Sequence, residues 1–406
     1  MHTSFNRMFS RGFSMVELMV AMAIGLLGMI IIFQVFEVSE GIRRTTTGGG
    51  DAQQSGAIAM YVLEHDVRNS GMAFNDTPWA GCSIIGYDNM VAPPDLPAVG
   101  ATMLAAPVRI VSGAATTAPD ELTIFYGSQT HSASASKLEV TMNLATDPVR
   151  VKNVYGYKPG DLILVMEPPP PAPALPKPCS LMEVTSITND QLFHNAGSYT
   201  FTPPGGSAIS VPSRFNKPGG LGVTYTGGNS GLTVVYNLGA VQPSGGPAMP
   251  VYSNYRVVNS TLTLTSAFSI GTPPAVADNI VHMRAVYGLD DGVNNTTVPY
   301  NTVYAAGDGI IDRFVDAAAA PNWRYVVAVR IAVVARSALK EKPTAGAGAA
   351  CDTTIAEPTW SGSSWVAGPL NFKTRLDLTA DPDWMCYRYR VFEATIPLRN
   401  WVWSSS

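Results

Sequence analysis

Hydrophobicity is distributed along this chain in two different ways. Between Phe13 and Phe36 (FSMVELMVAMAIGLLGMIIIFQVF) it is almost unbroken, and Glu17 is the single charged residue. A helix of that length, rising about 1.5 Å per residue, crosses a bilayer core of about 30 Å. The uncharged stretch after Glu17 outruns the apolar region of about 7–15 residues found in an ordinary secretory signal. Arg7 and Arg11 stand in front of it, so residues 1–12 are predicted to stay in the cytoplasm. The remainder then faces the periplasm or the outside. Over residues 37–72 the pattern turns amphipathic. It predicts a helix to about Arg44, an interruption at TTTGGG (45–50), and a second helical segment from Asp51. Asp51 and Gln54 have capping-box spacing, and Ile58, Tyr61, Val62 and His65 share a face. Gly71 is a natural stop, and no proline occurs before Pro78.

Residues 73–406 read differently. Leu138, Val140, Met142 and Leu144 alternate with polar residues, as do Leu232, Val234, Tyr236 and Leu238, which predicts strands. Residues 122–126, 162–166 and 262–264 read the same way. Val326 to Val334 is apolar except for Arg330, which suits a central strand covered on both faces. Pro168 to Pro178 (PPPPAPALPKP) predicts an extended connector. The expected fold class is therefore α+β: a long N-terminal helix, 13–36 within the membrane and 37–72 amphipathic, packed on a large antiparallel β-rich head.

Composition fits an exported body. Charged residues are only 14% of the chain while glycine and proline are frequent, which favours loop-rich β structure. The net charge of −4 becomes more acidic by two once Arg7 and Arg11 leave with residues 1–12, and there is no polybasic run, so no nucleic-acid partner is expected. Four cysteines in an exported chain predict two disulfides with three possible pairings. The expectation is that sequence neighbours pair, Cys82 with Cys179 and Cys351 with Cys386. Their spacing is unlike that of a zinc site. Two oxygen-rich loops are weak calcium candidates: Asp290-Asp291-Gly292 with Asn294 and Asn295, and Asp308-Gly309 with Asp312. Neither has a full calcium-loop order, and turn chemistry is the default reading. No hydrolase elbow, metalloprotease helix or phosphate loop is present, so neither enzymatic activity nor a cofactor is expected.

Glu17 carries the sharpest chemistry. A carboxylate in a membrane helix costs roughly 2.5–3.5 kcal/mol on insertion scales and calls for a partner. Cleavage after Gly12 would create one, the new α-amine of Phe13. Phe13 and Glu17 are four residues apart on one helix face, and the first turn favours negative charge. Residues Arg11-Gly12-Phe13-Ser14-Met15-Val16-Glu17-Leu18 resemble the processing signal of type IV pilins and type II secretion pseudopilins. That resemblance implies that a prepilin peptidase cuts after Gly12 and methylates Phe13, and that Glu17 is the assembly carboxylate. Glu17 would then pair with the Phe13 amine of a neighbouring subunit.

Later blocks narrow the resemblance. Asp66-Val67-Arg68-Asn69-Ser70-Gly71 with Ala80-Gly81-Cys82, then Val286–Asp290, Gly307–Asp312, Trp323 with Val329–Ser337, and Tyr389–Asn400, are similar in order to PilW-type minor pilins. Residues from about 90 to 270 carry no block similar to that family. The resemblance implies a subunit that joins other minor pilins to prime pilus assembly, meets the major pilin, and sits at the tip with a large adhesin of the PilY1 type. It implies an inner-membrane protein with a periplasmic head that passes to the cell-surface pilus. Two alternatives stay open: a type II secretion pseudopilin, and an adhesive pilin binding a ligand through residues 90–270.

Overall fold

The computed structural model describes residues 14–74, 80–97, 102–128, 135–170, 175–202, 205–229, 231–241, 250–269, 271–272, 274–293, 306–317, 322–343, 348–361 and 375–402. It begins with a 55-residue helix, α1 (Met15–Asn69), N-capped by Ser14, whose hydroxyl accepts from the Val16 amide. The expected interruption at 45–50 does not occur. The Thr46 hydroxyl donates to the Ile42 carbonyl at 2.9 Å and so stays within the helix. Gly48 lets the head come close, because a Cβ there would lie 3.0 Å from the Ser337 Cβ.

The helix expected through this segment is present, and the shared face points outward. Ile58, Tyr61 and His65 are exposed, and Val62 is only half-buried. The buried side carries Ala52, Gly56, Ala59, Met60, Leu63 and Val67. Small residues occupy it because the sheet is near: a Cβ on Gly56 would lie 2.0 Å from the Phe392 ring. The helix ends at Ser70, and Gly71 takes φ +77°, a left-handed conformation that glycine adopts freely.

The head strands follow in chain order: β1 (Ile84–Tyr87), β2 (Asp95–Leu96), β3 (Val108–Val111), β4 (Glu121–Tyr126), β5 (Ser136–Lys137), β6 (Val149–Arg150), β7 (Asp161–Met166), β8 (Cys179–Glu183), β9 (Ser186–Thr188), β10 (Gln191–Phe193), β11 (Ser198–Phe201), β12 (Ile209–Pro212), β13 (Val234–Ala240), β14 (Val251–Val258), β15 (Thr261–Ser266), β16 (Ala275–Asp278), β17 (Ile280–Leu289), β18 (Arg313–Val315), β19 (Val326–Arg336) and β20 (Tyr389–Pro397). A short helix, α2 (Arg399–Val402), follows. Three larger sheets are ordered β2-β1-β8-β7-β13-β5, β16-β15-β14-β4-β3 and β18-β17-β19-β20. Among the described strands, pairing is antiparallel except between β1 and β8.

Alternation explains how single strands serve two cores. Leu162, Leu164 and Met166 of β7 join the main core under α1, while Ile163 and Val165 face a second core made by residues 138–235. In β19, Val329, Ile331, Val333 and Ala335 face α1, whereas Ala332 and Val334 face a third cluster with Trp360, Leu376 and Leu378. This is the central, doubly covered strand expected from its sequence. The strand expected over 138–144 is absent. Leu138 makes only an isolated bridge to Val151. Leu138 and Met142 are buried while Val140 and Leu144 are exposed. The Asp147 carboxylate ends the extended run by accepting from the amides of Asn143 and Leu144, at 2.8 and 2.9 Å. The described residues of the proline-rich connector lie outside helices, and strand structure resumes only at Cys179.

Candidate functional site

The first half of α1 packs against no other element among the described residues. Its most apolar window is entirely unburied, with Leu18, Ile24, Leu27, Ile31 and Phe33 among the exposed residues. Gly25 and Gly28 have open space around them and the helix passes through both without a break. The length and composition suffice to cross a membrane. Glu17 lies in the first turn, exposed, where unpaired helix amides favour a carboxylate. Gly12 and Phe13 lie outside the described residues. This half of the helix therefore presents an unburied apolar rod with one acidic group near its start.

The second half is joined to the head by specific polar contacts. Glu37 meets Lys342 of the head at 3.4 Å, while Glu40 pairs with Arg44 within the helix itself at 2.9 Å. Near the far end, Asp66 accepts from the hydroxyls of Tyr255 and Tyr126, at 2.5 and 3.1 Å, which ties α1 to β14 and β4. Burial and the adjacent Asp66 carboxylate push both phenols up, so they remain protonated donors. His65 also touches Asp66, at 3.1 Å. Arg68 pairs with Glu64 on its own helix, and Arg399 begins α2. The Asn400 side-chain amide donates to the carbonyls of Arg68, Asn69 and Ser70 and so covers the end of α1. Trp401 is buried against it, with its indole N–H donating to the Trp323 carbonyl at 2.9 Å.

Sequence reasoning missed most of this joint. Asp66 and the C-terminal Arg399-Asn400 were visible as residues, but nothing local shows that residues 332 positions apart meet at one helix end. A second buried contact was also missed. Arg284, 1% exposed, pairs with Asp120 at 2.6 Å, and Asp120 also accepts from the amides of Gly113 and Ala285.

The four cysteines form two bridges, Cys82–Cys179 and Cys351–Cys386, with Cα separations of 5.9 and 4.8 Å. The first fixes the start of β8 beside β1. The second holds the segment covering the outer face of β19. The acidic loops are folded by their own backbone. Asp290 accepts from the amides of Gly307 and Gly309, Asp312 from Gly292, and Asp308 from Ile310. Asp291 is held by Arg313. Burial, then the neighbouring carboxylates of Asp290, Asp308 and Asp291, raise the Asp312 pKa. Among the described residues, no group of three or more His, Cys, Asp or Glu side chains is arranged to hold a metal ion.

Two family models match this chain. Residues 253–400 match Type IV Pilus-assembly protein W, and residues 7–33 match the prokaryotic N-terminal methylation motif. The first range runs from within β14 to Asn400 of α2 and so includes the four-stranded sheet and the cap on α1. The second includes Gly12, Phe13 and Glu17. Residues 34–252, including Asp66 and Cys82, lie outside both ranges. Comparisons with curated proteins and with solved structures found no match.

Proposed function

We propose that this chain, which belongs to the PilW family of type IV pilins, primes pilus assembly as one member of a minor-pilin complex and ends at the pilus tip. It is a minor pilin with an N-methylation motif and an N-terminal apolar helix, which fits an anchor in the inner membrane, and its family is a structural component of the pilus. In the proposed sequence of events, residues 1–12 stay in the cytoplasm and the head lies in the periplasm. A prepilin peptidase cuts after Gly12, giving Phe13 a free amine that is then methylated. Glu17 pairs with the Phe13 amine of a neighbouring subunit, and the apolar rods of α1 pack side by side as subunits join. The head meets other minor pilins, the major pilin and a large tip adhesin.

The observation that carries this reading is the exposed Glu17 at the start of a long, unburied apolar helix, within the matched methylation motif. Hydrophobic burial supplies cohesion, about 0.8 kcal/mol per methylene removed from water. The carboxylate supplies register, since only one axial offset brings it to the amine. Glu17→Ala is expected to insert in the membrane at normal levels while failing to enter filaments. Recovery of that variant in sheared pili at the wild-type level overturns the role given to Glu17.

A further inference from the structure

On the face of the four-stranded sheet away from α1 lies a partly open cavity of about 120 Å³. His282 of β17 and Arg336 at the end of β19 line it, facing Asp377, Leu378 and Asp381 of the covering segment and Tyr389 of β20. His282 is 1% exposed, and neither ring nitrogen makes a hydrogen bond of ordinary geometry, although the Thr116 backbone lies close enough to raise its pKa. The Arg336 Nε is likewise buried and unpartnered. That guanidinium cannot turn away, because Nη1 holds Asp381 at 2.7 Å and its plane lies over the Tyr387 ring, 4.2 Å from the centroid. Asp377 is held in place by Thr116 and Thr379. Buried polar atoms are almost always paired; the Thr116 backbone can serve only one His282 nitrogen, so the other and the Arg336 Nε on one small cavity point to an occupant.

The walls define its chemistry. An anion would meet Asp377 and Asp381, and a cation would meet Arg336 with Arg284 close behind. Burial, and then the Arg284 charge, push the His282 imidazole down to about 3, so it is neutral and presents one donor and one acceptor. The Arg336 Nε–H needs an acceptor. A hydroxyl group both donates and accepts. The apolar parts of Leu378 and Tyr389 suit a carbon skeleton, and the volume far exceeds the roughly 10–15 Å³ that one water needs.

We propose that this cavity binds adjacent hydroxyl groups of a small uncharged polyol or sugar unit, with Arg336 donating to one hydroxyl and His282 exchanging hydrogen bonds with the other. The site does not depend on the pilus-assembly reading, and its test does not involve assembly. The experiment is a titration of the full chain, in a detergent without a sugar headgroup, followed by the carbon resonances of labelled histidines. The compounds are glycerol, glucose, galactose, mannose, inorganic phosphate and acetate. A saturable shift of the His282 signal with at least one neutral compound, and none at His65 or His194, is expected. Binding by a hexose alone identifies a sugar unit, and equal binding of glycerol identifies a free polyol; both support the site. Ala380→Phe, at the exposed rim, is expected to weaken binding at least about tenfold without changing the thermal midpoint. His282→Phe removes it. No shift with any neutral compound up to about 0.1 M leaves water as the occupant and overturns the proposal. A shift only with phosphate or acetate overturns it as well.

Discussion

Gly56 offers the most direct test of how α1 is docked on the head. A Cβ built there would lie 2.0, 2.3 and 2.8 Å from three atoms of the Phe392 ring. Carbon atoms settle at about 3.5–4.0 Å, so Gly56→Ala forces the ring, or the helix, back by about 1.5 Å. Overpacking of that kind costs about 1–3 kcal/mol. Alanine returns about 1 kcal/mol through its better helix propensity. The net expectation is destabilisation of about 1 kcal/mol. Gly49 is the internal control, since nothing lies within 4 Å of a Cβ placed there. Gly49→Ala should gain about 1 kcal/mol, so the two alanines differ by about 2 kcal/mol with opposite signs. Urea unfolding of the full chain in detergent, followed by near-ultraviolet circular dichroism, measures both. A double-mutant cycle with Phe392→Ala assigns the loss, because trimming the ring should remove most of the penalty at Gly56. The reasoning fails if Gly56→Ala stabilises as much as Gly49→Ala, or if the Phe392 cycle shows no coupling.

Other sites give independent expectations. Asp120→Ala leaves the Arg284 guanidinium buried without its counter-charge and is expected to cost about 3–5 kcal/mol, measured by the same unfolding experiment, with Asp120→Leu/Arg284→Met restoring much of it. Replacing Cys351 and Cys386 by serine opens a bridge with a sequence separation of 35 and should cost about 3–4 kcal/mol; dithiothreitol should lower the wild-type midpoint and leave that of the variant less affected. His282 has a pKa of about 3 in the folded chain against 6.5 unfolded, so the unfolded state binds more protons in that window. Stability from this group is full above pH 6.5 and falls as the pH drops toward 3. Between pH 7 and 5 the loss is about 2 kcal/mol, and His282→Gln should remove that part of the acid sensitivity relative to the wild type.

The first half of α1 was legible in the sequence because its information is local. The length of the apolar run and the basic residues before it are read from adjacent positions, and Glu17 stands out against them. The α+β class was legible too, as were strands such as β4, β7, β15 and β19, whose apolar pattern is a property of a few adjacent residues. The errors arose where tertiary distance decides. The TTTGGG stretch reads as a breaker by propensity, yet it is helical and lets Gly48 approach Ser337. The shared face of Ile58 and Tyr61 reported a helix without saying which side meets the sheet, and that face points outward. At 138–144 the alternation was real, but Asp147 turns the backbone away before a ladder forms. The joint at the end of α1, where Asn400 reaches the carbonyls of residues 68–70, joins segments too distant for any local pattern to connect.

The central claim is that this chain is processed as a pilin and carried into the filament. Mass spectrometry of its N-terminus, taken from native membranes and from sheared pili, tests that most directly. The account predicts a chain beginning at methylated Phe13, present in both fractions and scarce in the second. A chain beginning at Met1 in cells with an active prepilin peptidase, and missing from pili, would contradict it.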